Sequence, residues 1–279
     1  MMLKRLVLVW TVAILALWDV APFAPLANVL FSPRPVFAQG IGGKAGIGGK
    51  GGIGGGAASS FNPTVTKIAS ALNVSVTAGT GYNVTISATC AQNSTVIILA
   101  QRDTATSDTT YTFGDQMSNS YARPANGQAF DSSDGIGIVT AYAVMTTALP
   151  SGDTITFTPQ VSDGHTDILG YCVTGVATSS PLDQSSTAVT SDGTTQTSGS
   201  ITPSVTPSAA ILLAGGYGAF SAYGNIFGSP ATGLDYTAAA NSRYAVTEWL
   251  SITSTSPGTA TYTTATGQAA MVFINLKHP

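Results

Sequence analysis

Charge is the scarcest property of this chain. Only 8% of its 279 residues are Asp, Glu, Lys or Arg, against roughly 25% in ordinary soluble proteins. There is one glutamate, Glu248, and there are two histidines, His165 and His278. Each scarcity argues against a class of chemistry. Ser-His-Asp catalysis needs a histidine beside its nucleophile. His278 is next to the last residue, His165 lies in DGHTD and reads as a solvated turn before a strand, and no G-x-S-x-G elbow occurs. Glycosidase chemistry needs two carboxylates at a defined separation, so Glu248 would have to act with a loop aspartate. Two cysteines and two distant histidines lack zinc-ligand spacing. No metal site and no cofactor are expected, with structural calcium as the one alternative. Long 3.6-residue apolar periodicity is also missing, which argues against helices.

What is present begins with an export pattern. Lys4 and Arg5 precede an apolar run from Leu6 to Trp18, and Val36-Phe37-Ala38 resembles a small-x-small cleavage site. The pattern predicts a signal peptide over 1–38 and a secreted or cell-surface protein of a bacterium. The run is short of the roughly 20 apolar residues of a membrane span, and no second such run follows, so no transmembrane segment is expected in the mature chain. Residues 1–38 hold Lys4, Arg5, Arg34 and Asp19, which leaves seven positive and twelve negative groups, a net charge of −5. Nucleic acid is not an expected partner, because phosphate neutralisation needs clustered Lys and Arg. Three N-x-S/T sequons, at Asn73, Asn83 and Asn93, are read as chance matches in a Thr-rich bacterial chain.

A glycine-rich arm follows over 39–60. In GIGGKAGIGGKGGIGGGAA, Ile41, Ile47 and Ile53 recur every six residues, and Lys44 and Lys50 share that spacing. Glycine gives the arm a large ordering entropy and little apolar area. Two readings stand: a flexible tether, or an assembly arm whose isoleucines dock on a copy of the chain or another partner.

From Phe61 onward, period-2 alternation dominates. In YNVTISATC, Tyr82, Val84, Ile86, Ala88 and Cys90 share one face. STVIILA, GIGIVTAYAVM, DILGYCVTGV, AAILLAGG and QAAMVFINL are apolar on both faces, which suits central strands covered on both sides. Ten to twelve strands with turn signals between them predict an all-β fold over 61–279, an antiparallel two-sheet sandwich or jelly roll. The polar segment 179–200 reads as a long loop with an edge strand.

The pattern IVTAYAVMTTALPSGDTITFTP, followed by DILGYCVTGVATSSPLD and a closing AAMVFINLK, resembles a group of secreted bacterial β-sandwich domains. The resemblance implies a sandwich, export and a surface or matrix role. It carries no catalytic residue onto this chain, and Gly170 stands where similar domains tend to have Glu before the aromatic Tyr171.

Four sets of side chains are the candidates. Cys90 and Cys172 pair as a disulfide in an oxidising compartment, or remain two small buried thiols. Glu248 shares a face with Val246, Leu250 and Ile252, so its carboxylate must be paired, protonated or lining a cleft; Arg243 and Arg102 are its possible partners. Asp131, Asp134, Asp163, Asp167 and Asp192 lie in Ser/Asp/Gly turns that suit calcium or turn capping. Tyr217, Phe220, Tyr223 and Phe227 lie in GGYGAFSAYGNIFG, read as a loop that covers one end of the sandwich, stacks on sugar rings or touches a neighbouring subunit. Trp249 is the lone tryptophan after residue 38. The leading expectation is a non-catalytic structural or adhesive protein that contacts its own copies or cell-surface and matrix components. A carbohydrate-binding module is the alternative, followed by a polysaccharide hydrolase or lyase.

Overall fold

The computed structural model describes residues 61–104, 106–190, 193–238 and 243–279. Regular structure among them is antiparallel strand throughout, arranged in stacked sheets. The middle sheet runs β1 (Thr64–Val76), β8 (Asp163–Thr174), β3 (Thr95–Arg102), β6 (Ile136–Val144), β5 (Gln128–Asp131). A small sheet packs on one face: β2 (Tyr82–Thr85), β7 (Thr154–Thr158), β4 (Thr112–Asp115). A large sheet packs on the other: β10 (Thr195–Thr197), β15 (Ala260–Lys277), β11 (Ser208–Ile226), β14 (Arg243–Ile252), β13 (Thr232–Ala238). Two further strands join it, β9 (Leu182–Thr190) on β15 and β12 (Ser229–Pro230) on β11. The all-β sandwich expected from alternation is therefore present, with a third, smaller sheet added to it.

The doubly apolar runs explain the layering. Val96, Ile98 and Ala100 of β3 face the small sheet and meet Ile155 and Phe157. Ile97 and Leu99, one step out of phase, face the large sheet and meet Ile211, Leu213, Val272 and Ile274. One strand thus feeds two cores, and a one-residue register slip would exchange them. Each of these buried side chains contributes roughly 1.5–3 kcal/mol by leaving water. The described residues belong to one compact unit, and the polar stretch 179–200 supplies β9 and β10.

The large sheet also folds onto itself. In the β11–β14 ladder Leu212 lies opposite Glu248. Gly224 is twelve residues further along β11, which in a straight strand would be about 40 Å away. Instead its N–H donates to Glu248 Oε2 at 3.1 Å. Strand β11 therefore returns over its own sheet and encloses a third core, in which Ile226, Ala260 and Tyr262 meet Leu212, Val246 and Phe273. Register shifts between Gly218 and Ile226 mark the returning part. Gly218 takes φ +114° at its start, a conformation that side-chain-bearing residues rarely adopt. At Gly216 a Cβ would sit 2.3 Å from the Tyr244 ring, so only glycine admits that ring.

This corrects one expectation. GGYGAFSAYGNIFG is strand as far as Ile226, not a loop, because its glycines supply a bend and bulges within a paired ladder rather than a chain reversal. Two smaller differences concern length and placement. Strand β2 ends at Thr85, and Ile86 and Cys90 continue as isolated bridges to Ala69 and Leu149. His165 lies within β8 rather than in a turn before it, and the His278 ring packs edge-on against Phe61 at 5.9 Å. Cys90 and Cys172 form a disulfide, with Cα atoms 5.6 Å apart. It ties the chain after β2 to β8 in the middle sheet.

Candidate functional site

The return of β11 gathers an aromatic cluster. Phe220 stacks on Tyr236 at 4.6 Å and meets Tyr223 edge-on at 5.0 Å. Tyr262 lies behind Phe220 at 6.2 Å, and the Tyr262 and Tyr244 hydroxyls are 3.2 Å apart in the buried layer. Such offset and edge-on pairs add to simple burial. Tyr223 and Tyr236 stay 37% and 38% exposed, so the cluster has a wet outer side and a dry inner one. The Tyr223 ring lies over Gly233 of β13, where a Cβ would be 2.2 Å from it.

The six candidate residues do not form one site. Phe220 and Tyr223 share the cluster, and Glu248 lies beneath the segment that carries them. Tyr217 is 46% exposed but faces the opposite side of the large sheet, with Arg243 over its ring at 4.9 Å. Phe227 packs toward Phe273 at 6.1 Å, against the third core. Trp249 alternates with Glu248 and packs on the second core, away from the cluster. Tyr236 belongs to the cluster and was not singled out from the sequence. Its short context, GLDYTA, offers only weak alternation, and its neighbours come from distant β11.

Glu248 is fully buried. It shares the third core with Val246, Leu250 and Ile252, the face that alternation assigned. Oε2 accepts the Gly224 N–H, and Oε1 has no hydrogen-bond partner. Burial raises its carboxyl from an ordinary 4.5 to about 7, against the opposing pull of the Gly224 N–H. Neither proposed cation reaches it. Arg102 is committed elsewhere: to Asp108, to Asp163 at 3.1 Å and to the Val161 carbonyl at 2.6 Å. Arg243 binds Asp103 at 2.5 Å. Both arginines were the wrong partners because their strands end at the rim where Asp103, Asp108 and Asp163 gather.

The aspartates considered for calcium have other tasks. Burial alone would raise the Asp163 carboxyl. The N–H groups of His165 and Asp103, the Thr166 hydroxyl and Arg102 outweigh it and hold that carboxyl below the usual range. Asp167 accepts from Asn73 N–H at 2.7 Å and Thr237 Oγ1 at 3.0 Å, joining the middle and large sheets, and burial leaves its carboxyl raised. Asp131 accepts from Ser133 N–H at 2.9 Å, and Asp134 from Ser133 Oγ at 2.8 Å. Among the described residues no three His, Cys, Asp or Glu side chains converge as a metal group. Asp192, the arm residues Ile41, Lys44, Ile47, Lys50 and Ile53, and the 1–38 segment lie outside the described residues.

Among the described residues, surface clefts of about 120 to 380 Å³ open beside Tyr111 and Arg123, beside Tyr142 and Pro181, and beside Phe227 and Leu250. Glu248 lines none of the three. No described helix is long and apolar enough to cross a membrane. The fold and site define an antiparallel, disulfide-tied sandwich with an aromatic cluster on a returned strand. No protein-family model, curated protein or solved structure matches the chain.

Proposed function

We propose that this chain is a non-catalytic structural or adhesive protein, exported by a bacterium to the cell surface or extracellular matrix. The observation that carries the reading is where the exposed aromatic surface lies. Of the five large apolar side chains that are exposed among the described residues, three are Tyr217, Tyr223 and Tyr236. Tyr223 and Tyr236 stand together on the Phe220 cluster, over the returned part of β11 and the edge strand β13, and Tyr217 stands on the opposite face of the large sheet beside Arg243. Tyrosines there supply rigid, amphipathic contact area at little cost in side-chain entropy.

The disulfide and the sequence's export pattern support the extracellular setting, since disulfides persist in oxidising compartments. Partners are copies of the chain, through the 39–60 arm, or surface and matrix components. Carbohydrate is the second reading. It is favoured by the outward faces of Tyr223 and Tyr236, which suit stacking on a sugar ring. Hydrolysis or lysis of a polysaccharide has less support, because Glu248 is shut beneath Gly224 and Tyr223.

Two measurements test this. Light scattering of the secreted protein with and without residues 40–58 reads assembly, and an unchanged mass removes the arm from the mechanism. A glycan array reads carbohydrate binding, and a blank array removes the second reading. A polysaccharide-cleaving activity lost in Glu248→Gln would overturn the non-catalytic reading.

A further inference from the structure

Glu248 places a lone acid in an apolar core, beneath the returned part of β11, which is held by its irregular ladder to β15 and by the short strand β12. Its Oε1 is buried with no partner and its Oε2 has one, the Gly224 N–H. The neighbours on its face, Val246, Leu250 and Ile252, offer no polar atom. We propose that Glu248 is a proton-gated latch: neutral, it lets the returned part of β11 close over the large sheet, and ionised, it draws in water and lifts that part away.

The groups around it leave ionisation uncompensated. Tyr223 faces it from the returned strand and Tyr262 from β15, and both are neutral phenols raised further by burial. Tyr244 of β14 meets Tyr262 hydroxyl to hydroxyl at 3.2 Å. Asp235 of β13 acts on Tyr223 and is held by Lys67 at 2.7 Å, so that cation is already engaged. No Lys or Arg among the described residues pairs with Glu248. The single N–H bond favours the ionised form, but loss of hydration outweighs it, and the carboxyl titrates at about 7.

The returned segment is built to yield first. It begins at Gly216 and Gly218 and carries three register shifts, and most of residues 217–225 keep an exposed side. Opening it disturbs the third core and leaves the first two, with the disulfide, in place. Lifting it uncovers Ile226 and Tyr262 and repositions Phe220 and Tyr223. The latch does not depend on whether the tyrosines bind a glycan or another protein.

The test uses the full chain and exploits its single glutamate. Incorporating glutamate labelled with ¹³C at the side-chain carboxyl gives one resonance, that of Glu248. Its titration midpoint is expected near 7. Over pH 5 to 8, hydrogen exchange of the 218–226 amides should accelerate on the order of a hundredfold beyond the intrinsic chemical rate. In Glu248→Gln that excess should vanish. A midpoint near 4.5, an excess that does not change with pH, or one that survives in Glu248→Gln would each overturn the latch. Should Glu248→Gln fail to fold, the resonance and the exchange profile of the unaltered chain still decide.

Discussion

Arg102 sits beneath the small sheet and Glu248 beneath the returned part of β11, and neither side chain touches solvent. Around Arg102 the polar groups are matched. Asp108, Asp163 and the Val161 carbonyl take its donors, Phe157 lies against its guanidinium at 5.4 Å, and Asp163 accepts three further hydrogen bonds. Around Glu248 there is one N–H, and the rest is apolar side chains and two neutral phenols, with no cation. A buried charge with a complete set of partners fixes its surroundings, whereas one without them makes its surroundings conditional on pH. The first region reads as the permanent part of the fold and the second as its adjustable part.

The sharpest way to break that contrast is to cut the permanent part. Arg102→Met should cost about 3–5 kcal/mol, because Asp108 and Asp163 remain buried without their cation. Denaturant unfolding at pH 7 measures it, and a loss below about 1 kcal/mol would show the cluster to be unimportant. Replacing Cys90 and Cys172 with alanine should cost about 4 kcal/mol. The chain-entropy estimate for the 82-residue separation is of that size.

Acid and alkali should attack the two regions separately. Asp163 has a lowered carboxyl in the fold, so its contribution is present above the unfolded value of 3.8 and is lost as pH falls below it. Glu248 has a raised carboxyl, so its contribution is complete below 4.5 and declines as pH rises to about 7. The decline amounts to about 3 kcal/mol, at 1.36 kcal/mol for each unit of pKa. Unfolding free energies for the unaltered chain and Glu248→Gln should therefore converge near pH 4 and diverge by pH 8, with the variant the more stable. Parallel curves would mean that Glu248 is hydrated in the native state.

Much of this contrast was legible in the sequence, and the reason is periodicity. The doubly apolar runs at 94–100 and 268–276 identified strands shared by two cores, and alternation put Glu248 on an apolar face with Val246, Leu250 and Ile252. What alternation could not supply was the third dimension. Glycines at 215, 216 and 218 look alike whether they make a turn or a bend in a continuous strand. The choice rests on remote groups: the Tyr244 ring over Gly216, and Gly267, which pairs with Gly218. The partners of Arg102 and Arg243 were missed for the same reason, since ladder register decides which strand ends meet. Cysteine spacing left pairing open, and the fold resolved it by bringing the two Cα atoms within 5.6 Å.

Two glycines in the adjustable region sharpen the comparison further. Gly216→Ala places a Cβ 2.3 Å from the Tyr244 ring and 2.6 Å from the Gln268 carbonyl, and neither neighbour can withdraw. It should cost about 2 kcal/mol. In Gly233→Ala the Cβ comes nearest to the Tyr223 ring, at 2.2 Å, and that ring is partly exposed. It should cost less than about 1 kcal/mol, because an exposed side chain can change rotamer. Equal costs, read from thermal unfolding, would mean that Tyr223 is held as firmly as Tyr244.

The smallest effect on stability should come from the outermost residues and the largest effect there on contact. Tyr217→Ser and Tyr236→Ser remove rings that are 46% and 38% exposed, and neither hydroxyl supports a buried hydrogen bond. Each should change unfolding free energy by about 0.5–1 kcal/mol at most. Tyr236 stands to lose the more, because it stacks on Phe220 while the more exposed Tyr217 has Arg243 over its ring. If the exposed tyrosines make the contact, a change on the contacting face should weaken self-association in light scattering, or retention on a glycan array, by tenfold or more, on the order of 1–2 kcal/mol per aromatic anchor. The two faces also separate the partners. Loss confined to Tyr236→Ser would assign contact to the returned segment and its cluster, and loss confined to Tyr217→Ser would assign it to the rim beside Arg243 and Asp103. Undiminished binding in both variants would remove the exposed tyrosines from the mechanism and leave the glycine-rich arm to carry it.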